Sequence, residues 1–207
     1  MKKAVLFLVL VFAFSAVFLS DGYSLRLGNK DLIKLGVGQR SMFLIGTVYY
    51  ASLWVPQELK GKSAKEIIEA DEPSAVILSI DSKLISSEKF VKATRDGFAK
   101  AAASGYATNK SEAFLAKFAE IQIARGDTFY LYYTPGSGLS ASYKSKATGE
   151  TKNMGVTPGL DFKKALFAIW LGPNTGMAAA ASLSLNPSTS GCSGPMTTSA
   201  TDCSRQK

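Results

Sequence analysis

The sequence predicts an α+β fold in which helices cover one side of a mainly antiparallel sheet. Three observations predict it. Strand-like segments rich in β-branched and aromatic residues fill the first half, two amphipathic helical segments follow, and a Pro-Gly hairpin leads into an apolar closing helix. No internal repeat and no second domain is visible.

The elements follow in order. "YSLRLGNKDLIKLGVGQR" alternates apolar and polar residues around a Gly-Asn turn, as two short strands would. "GTVYYASLWVP" is the strongest strand candidate and ends at Pro56. "SAKEIIEAD" reads as a short helix with Ser63 as cap and Glu66 completing a capping box. "SAVILSID" is a buried strand. "SSEKFVKATRDGFAKAAASG" is a helix capped by Ser86 or Ser87, with Phe90, Ala93, Phe98 and Ala101 on its apolar face and a stop near Gly105. A second helix is expected to start at Asn109 and to align Phe114, Leu115, Phe118 and Ile121. "DTFYLYYTPGSGLSASYKS" is a strand, a Pro-Gly turn and a returning strand. "PGLDFKKALFAIWLGP" is a helix with Asp161 as cap and Gly172-Pro173 as stop.

The ends differ from this body. "MKKAVLFLVLVFAFSAVFLSDGYS" has two lysines, an apolar run and then small polar residues, the layout of a secretory signal peptide. Its apolar part is shorter than the roughly 20 residues a bilayer span needs. Residues 1–24 are therefore expected to be a cleaved leader, although an uncleaved anchor is the alternative, and the mature protein to be exported, most simply to a periplasm. Residues 25–173 form the expected domain. Residues 174–207 are low in large apolar residues and read as a low-complexity, disordered tail. Cys192 and Cys203 lie in that tail, where one disulfide would not staple the domain.

The chain has no histidine, which excludes Ser–His and Cys–His nucleophilic catalysis, histidine general bases and His-containing zinc sites. The sequence calls for no metal and no cofactor. Net charge is +8, but the lysines are scattered singly or in pairs. That pattern argues against nucleic acid as a partner and fits at most weak association with an anionic membrane surface.

Arg40 stands out. It precedes Val48, Tyr49, Tyr50 and Trp54 in an apolar stretch. Either it ends a strand and reaches water or an acidic partner, or it anchors a ligand in a buried site. Tyr49 and Tyr50 point to opposite faces of their strand, so only one can share its surroundings. Tyr130, Tyr132, Tyr133 and Trp170 read as core or half-buried sheet residues, and Lys89 and Lys92 as a solvated helix face.

"GVGQR", "VYYASLWVP", "ARGDTFYLYYTPGSG" and "GLDFKKALFAIWLGP" occur in an order and at a spacing that resembles the bacterial chalcone isomerase-like family over about residues 22–173. These are exported relatives of plant chalcone isomerase and of plastid fatty-acid-binding proteins. The resemblance implies an open-faced β-sandwich, a large antiparallel sheet with helices on one face and a ligand cleft between. In the enzymes, an arginine and a threonine on neighbouring strands hold a substrate oxygen. Tyrosine, lysine and asparagine on a helix and a tyrosine on a later strand complete their site.

Arg40 matches the arginine, and Tyr49 falls where the threonine would be, closer to the branch in which arginine and tyrosine grip a carboxylate. A slip of one residue would select Tyr50. On the helix, one register offers Phe90, Ala93 and Gly97 and the next Lys89, Lys92 and Asp96; neither supplies the enzyme's set. Leu131 falls at the later tyrosine, and Ile169 and Trp170 replace a hydroxyl-bearing and an apolar residue. Relatives also continue past "WLGP" with a short helical segment that is replaced here by the Ala-, Ser- and Thr-rich tail.

The resulting expectation is a non-catalytic binding protein that holds a fatty acid or similar amphipathic carboxylate through Arg40 and Tyr49. One alternative is an intramolecular lyase or isomerase in which Arg40 stabilises an oxyanion. Another is an envelope protein with a structural or partner-binding role.

Overall fold

Seven strands form one antiparallel sheet in which each strand hydrogen-bonds to the next in sequence. They are β1 (Ser24–Leu27), β2 (Lys30–Met42), β3 (Gly46–Pro56), β4 (Ser74–Ile80), β5 (Thr128–Thr134), β6 (Gly138–Lys144) and β7 (Thr151–Thr157). Among the described residues, four α-helices and a 3-10 turn (Gln57–Leu59) interrupt the order: α1 (Ala64–Glu69), α2 (Ser87–Ala103), α3 (Ser111–Ala119) and α4 (Leu160–Leu171). The computed structural model describes residues 24–42 and 46–173. The expected leader up to residue 23 and the tail from residue 174, with both cysteines, lie outside the described residues.

Local chemistry accounts for most boundaries. Gly28, at φ +62, makes the tight β1–β2 turn that a side chain would strain. Ser63 accepts from the Glu66 N–H while Glu66 accepts from the Ser63 N–H, so both ends of the capping box are closed. Ser86 caps α2 by accepting from the Lys89 N–H.

One sheet face is apolar. Tyr49, Ala51, Leu53 and Val55 of β3, Val76, Leu78 and Ile80 of β4, and Phe129, Leu131 and Tyr133 of β5 are all buried. The other face carries Tyr50, Trp54, Tyr130 and Tyr132, all partly or well exposed. The helices lie on the apolar side. Phe90 stacks on Phe129 with centroids 5.2 Å apart, and Phe114 meets Phe118 and Phe162 at 4.9 Å. Burying each such phenyl ring contributes on the order of 2 kcal/mol.

The α4 helix has almost no exposed face: every residue from Phe162 to Leu171 except Lys164 is buried. It packs against α1, α2 and β6, as a helix apolar all round must. Gly97 makes the α2 approach possible, because a Cβ there would lie 2.7 Å from Cγ2 of Ile169.

Three expectations need correction. The second long helix starts at Ser111 after Lys110, and Asn109 does not cap it. Asp161 does not cap α4. Gly159 precedes the helix at φ +99, and Asp161 instead accepts from Lys110 Nζ at 2.5 Å and from the Thr108 hydroxyl at 3.0 Å. The strand β7 was not anticipated, because as an edge strand it buries only Met154 and Thr157. Its alternation also breaks where the pairing shifts between Ser140 and Ser142, beside Gly155 at φ +79.

Candidate functional site

Arg40 and Tyr49 are direct partners across β2 and β3. The register shifts immediately afterwards: Ser41 pairs with Thr47, so Val48 is an extra residue on β3. This bulge lets two consecutive residues turn inward, Val48 at 2 % and Tyr49 at 6 % exposure, where a regular strand would expose one of them. The Val48 carbonyl is pinned from outside the pair by the N–H groups of Asp81 and Ser82, at 2.9 and 3.2 Å. Tyr50 is 42 % exposed on the opposite face, so Tyr49 is the tyrosine on the Arg40 side of the sheet.

The α4 helix closes this corner. Trp170 is buried, and its indole Nε1 donates to the Tyr49 hydroxyl oxygen at 3.0 Å. The Phe90 ring of α2 meets the Tyr49 ring edge-on at 6.2 Å. Burial pushes the Tyr49 phenol up from its ordinary value, while the Arg40 charge and the hydrogen bonds from Trp170 and Arg40 pull it back. The phenol therefore stays protonated and able to donate.

Arg40 itself is half-buried, and its Nε has no hydrogen-bond partner although the atom is shielded from water. Among the described residues no carboxylate pairs with it. A buried donor left unmatched costs about 1–3 kcal/mol, more when charged.

The remaining residues singled out in the sequence fall elsewhere. Lys89 and Lys92 are exposed, and Lys92 pairs with Asp96 at 3.0 Å. Tyr130 and Tyr132 stand together on the helix-free face, ring centroids 5.9 Å apart. Tyr133 is core, and its hydroxyl donates to Asp71 at 2.5 Å. On α2, the buried residues are Phe90, Gly97, Phe98 and Ala101.

A separate groove of about 950 Å³ lies between the segment 120–127 and the β6–β7 end of the sheet. Two of its polar groups bind the hairpin together: Asp127 accepts from the N–H groups of Ala124 and Lys146 and from the Tyr143 hydroxyl at 2.6 Å. Burial and that carboxylate push Tyr143 up to about 12.

Two functional-looking residues escaped the sequence reading. Trp170 reads as core and, through the family resemblance, as a stand-in for an apolar residue of the enzymes' site, and in an all-apolar helix no pattern distinguishes a packed indole from one whose N–H has a task. Lys163 was not singled out at all. It is 1 % exposed, and its ammonium donates to the carbonyls of Ile67, Ile68 and Ala70 at 2.7, 3.0 and 2.9 Å.

The family model described as chalcone isomerase-like matches residues 15–179. The chain belongs to the chalcone isomerase-like family. Among solved structures, the chain is similar to a fatty-acid-binding protein of Arabidopsis thaliana, with a TM-score of 0.57 and 18% identity, over 70% of this chain and 82% of that one. That likeness shows the fold. No curated protein sequence matches the chain. The seven-stranded antiparallel sheet with helices on one side is thus the expected architecture of the family.

Proposed function

We propose that this chalcone isomerase-like protein is an exported, non-catalytic binding protein for a fatty acid or similar amphipathic carboxylate. Arg40 and Tyr49 anchor the carboxylate. The observation that carries this reading is the Arg40 Nε, buried without a protein partner directly opposite a buried tyrosine hydroxyl. A carboxylate leaving water must recover its hydrogen bonds, and a guanidinium and a phenol return them as charge-assisted bonds. Apolar surroundings such as Phe90 and Ile80 would favour the alkyl chain at roughly 0.8 kcal/mol per buried methylene.

The Arabidopsis neighbour, a fatty-acid-binding protein, supports a lipid ligand for this fold. The apolar face of α2 favours binding over chemistry, since an isomerase would want a proton-transferring group converging on the oxyanion. The basic, apolar N-terminal segment supports export to a periplasm, and the dispersed positive charge supports weak contact with anionic membrane.

The test is native mass spectrometry with solvent extraction of the purified protein and of Arg40→Ala. A co-purifying fatty acid present in the wild type and lost in the variant is the expected result. Two empty proteins that also ignore added fatty acid would overturn the reading.

A further inference from the structure

We propose that Trp170 sets the ligand selectivity of the cleft, restricting it to anionic headgroups by turning the Tyr49 hydroxyl into a donor. The inference rests on the carboxylate-binding reading above and concerns the same site.

A phenol oxygen both accepts and donates, so an unconstrained tyrosine can greet either a donor or an acceptor. An indole N–H only donates. Here the indole Nε1 lies 3.0 Å from the Tyr49 oxygen, with the two residues 3 % and 6 % exposed. Trp170 and the Arg40 guanidinium both bond this oxygen, which fills its accepting side and points the phenol proton away from Trp170. Arg40, opposite Tyr49 across the strand pair, has donors alone.

The polar groups offered to a ligand are then all donors. A carboxylate, which only accepts, matches them fully. An alcohol or primary amide of the same chain length would bring its own O–H or N–H into a place without an acceptor, and an unmatched buried donor is costly. Discrimination of this kind, by a polar group left unpaired, exceeds what shape alone achieves.

The position of Trp170 makes it suited to the task. It sits on the helix buried all round, next to Ile169, which is wedged against Gly97 of α2. Trp170 is thus a positioning residue: it acts on the ligand through Tyr49.

The experiment compares affinities of the full chain for decanoate and for 1-decanol at pH 8 by calorimetry. In Trp170→Phe, the Tyr49 oxygen keeps the Arg40 bond but loses the indole donor and can accept from the alcohol in its place, so the acid-to-alcohol preference is expected to fall about tenfold, the worth of one neutral hydrogen bond. In a Tyr49→Phe background the same substitution should change the preference no further, which separates this role from packing. If Trp170→Phe does not fold, Trp170→benzothienylalanine keeps the ring shape and removes only the N–H.

A preference within twofold of wild type in the Trp170 variant overturns the inference and leaves carboxylate binding standing. So does a drop that persists without the Tyr49 hydroxyl. A wild type that binds no decanoate overturns the carboxylate reading, and the inference falls with it.

Discussion

Lys163 and Arg40 are both cations drawn into an apolar interior, and the protein treats them in opposite ways. Lys163 gives its three protons to three carbonyls at the C-terminal end of α1, with the Phe167 ring centroid 4.8 Å away. It completes a short helix whose last carbonyls would otherwise be buried unmatched. Arg40 keeps a buried Nε that no protein group accepts. The first cation is consumed by the fold, whereas the second keeps a donor without a protein partner, as does the buried Ser74 hydroxyl. On the proposed reading, the Arg40 donor is the one a ligand would meet.

The comparison can be broken most sharply at Lys163. Lys163→Met should lower unfolding free energy by about 3 kcal/mol, since three helix-end carbonyls lose their donor. Urea denaturation followed by circular dichroism measures this. Loss of decanoate binding beyond the unfolded fraction would show that Lys163 also serves the site.

Arg40→Leu should do the reverse. Decanoate affinity should fall by at least about 30-fold, the worth of one or two charged hydrogen bonds. The ligand-free protein should be as stable as wild type or up to about 1 kcal/mol more stable, because an unmatched buried donor is gone. A clear loss of stability in the ligand-free variant would mean that Arg40 is structural.

The pH dependence sharpens the same contrast. Burial, aided by the neighbouring Lys164 charge and opposed by Asp71, draws Lys163 down to about 7. Between that value and the ordinary lysine value the unfolded chain binds more protons than the folded one, so stability rises with pH. Over the two units between pH 7 and 9 the rise is worth about 2 kcal/mol. Lys163→Met should flatten it. Above pH 10 the sign reverses, because burial raises the Tyr49, Tyr133 and Tyr143 phenols and the folded chain then holds the extra protons.

The smallest effect belongs to the helix that Lys163 completes. Ser63→Ala opens the capping box and should cost about 1 kcal/mol. Binding of decanoate should stay unchanged, since the cap touches neither Arg40 nor Tyr49.

Much of this molecule was legible in its sequence because the signals were local. A run of β-branched and aromatic residues marked β3, and Ser63 with Glu66 three residues on marked the start of α1. The spacing of Phe114, Leu115 and Phe118 marked α3, and all three are buried. The edge strand β7 was not legible, since "TKNMGVT" has too few apolar residues and a glycine in its middle. Arg40 and Tyr49 were legible as candidates through the family resemblance, but from the residues alone Arg40 reads equally well as a strand end.

By itself the sequence determined most element types, because periodicity, capping and turn chemistry act within a few residues, while the two candidate anchors came through the family resemblance. Only the tertiary structure decided that a bulge at Val48 turns Tyr49 inward. It alone brought Trp170, 121 positions away, onto the Tyr49 hydroxyl and drew Lys163 to carbonyls more than 90 residues distant. The reason is physical: a hydrogen bond between buried groups is set by which surfaces pack together, and no local pattern records which donor will find which acceptor.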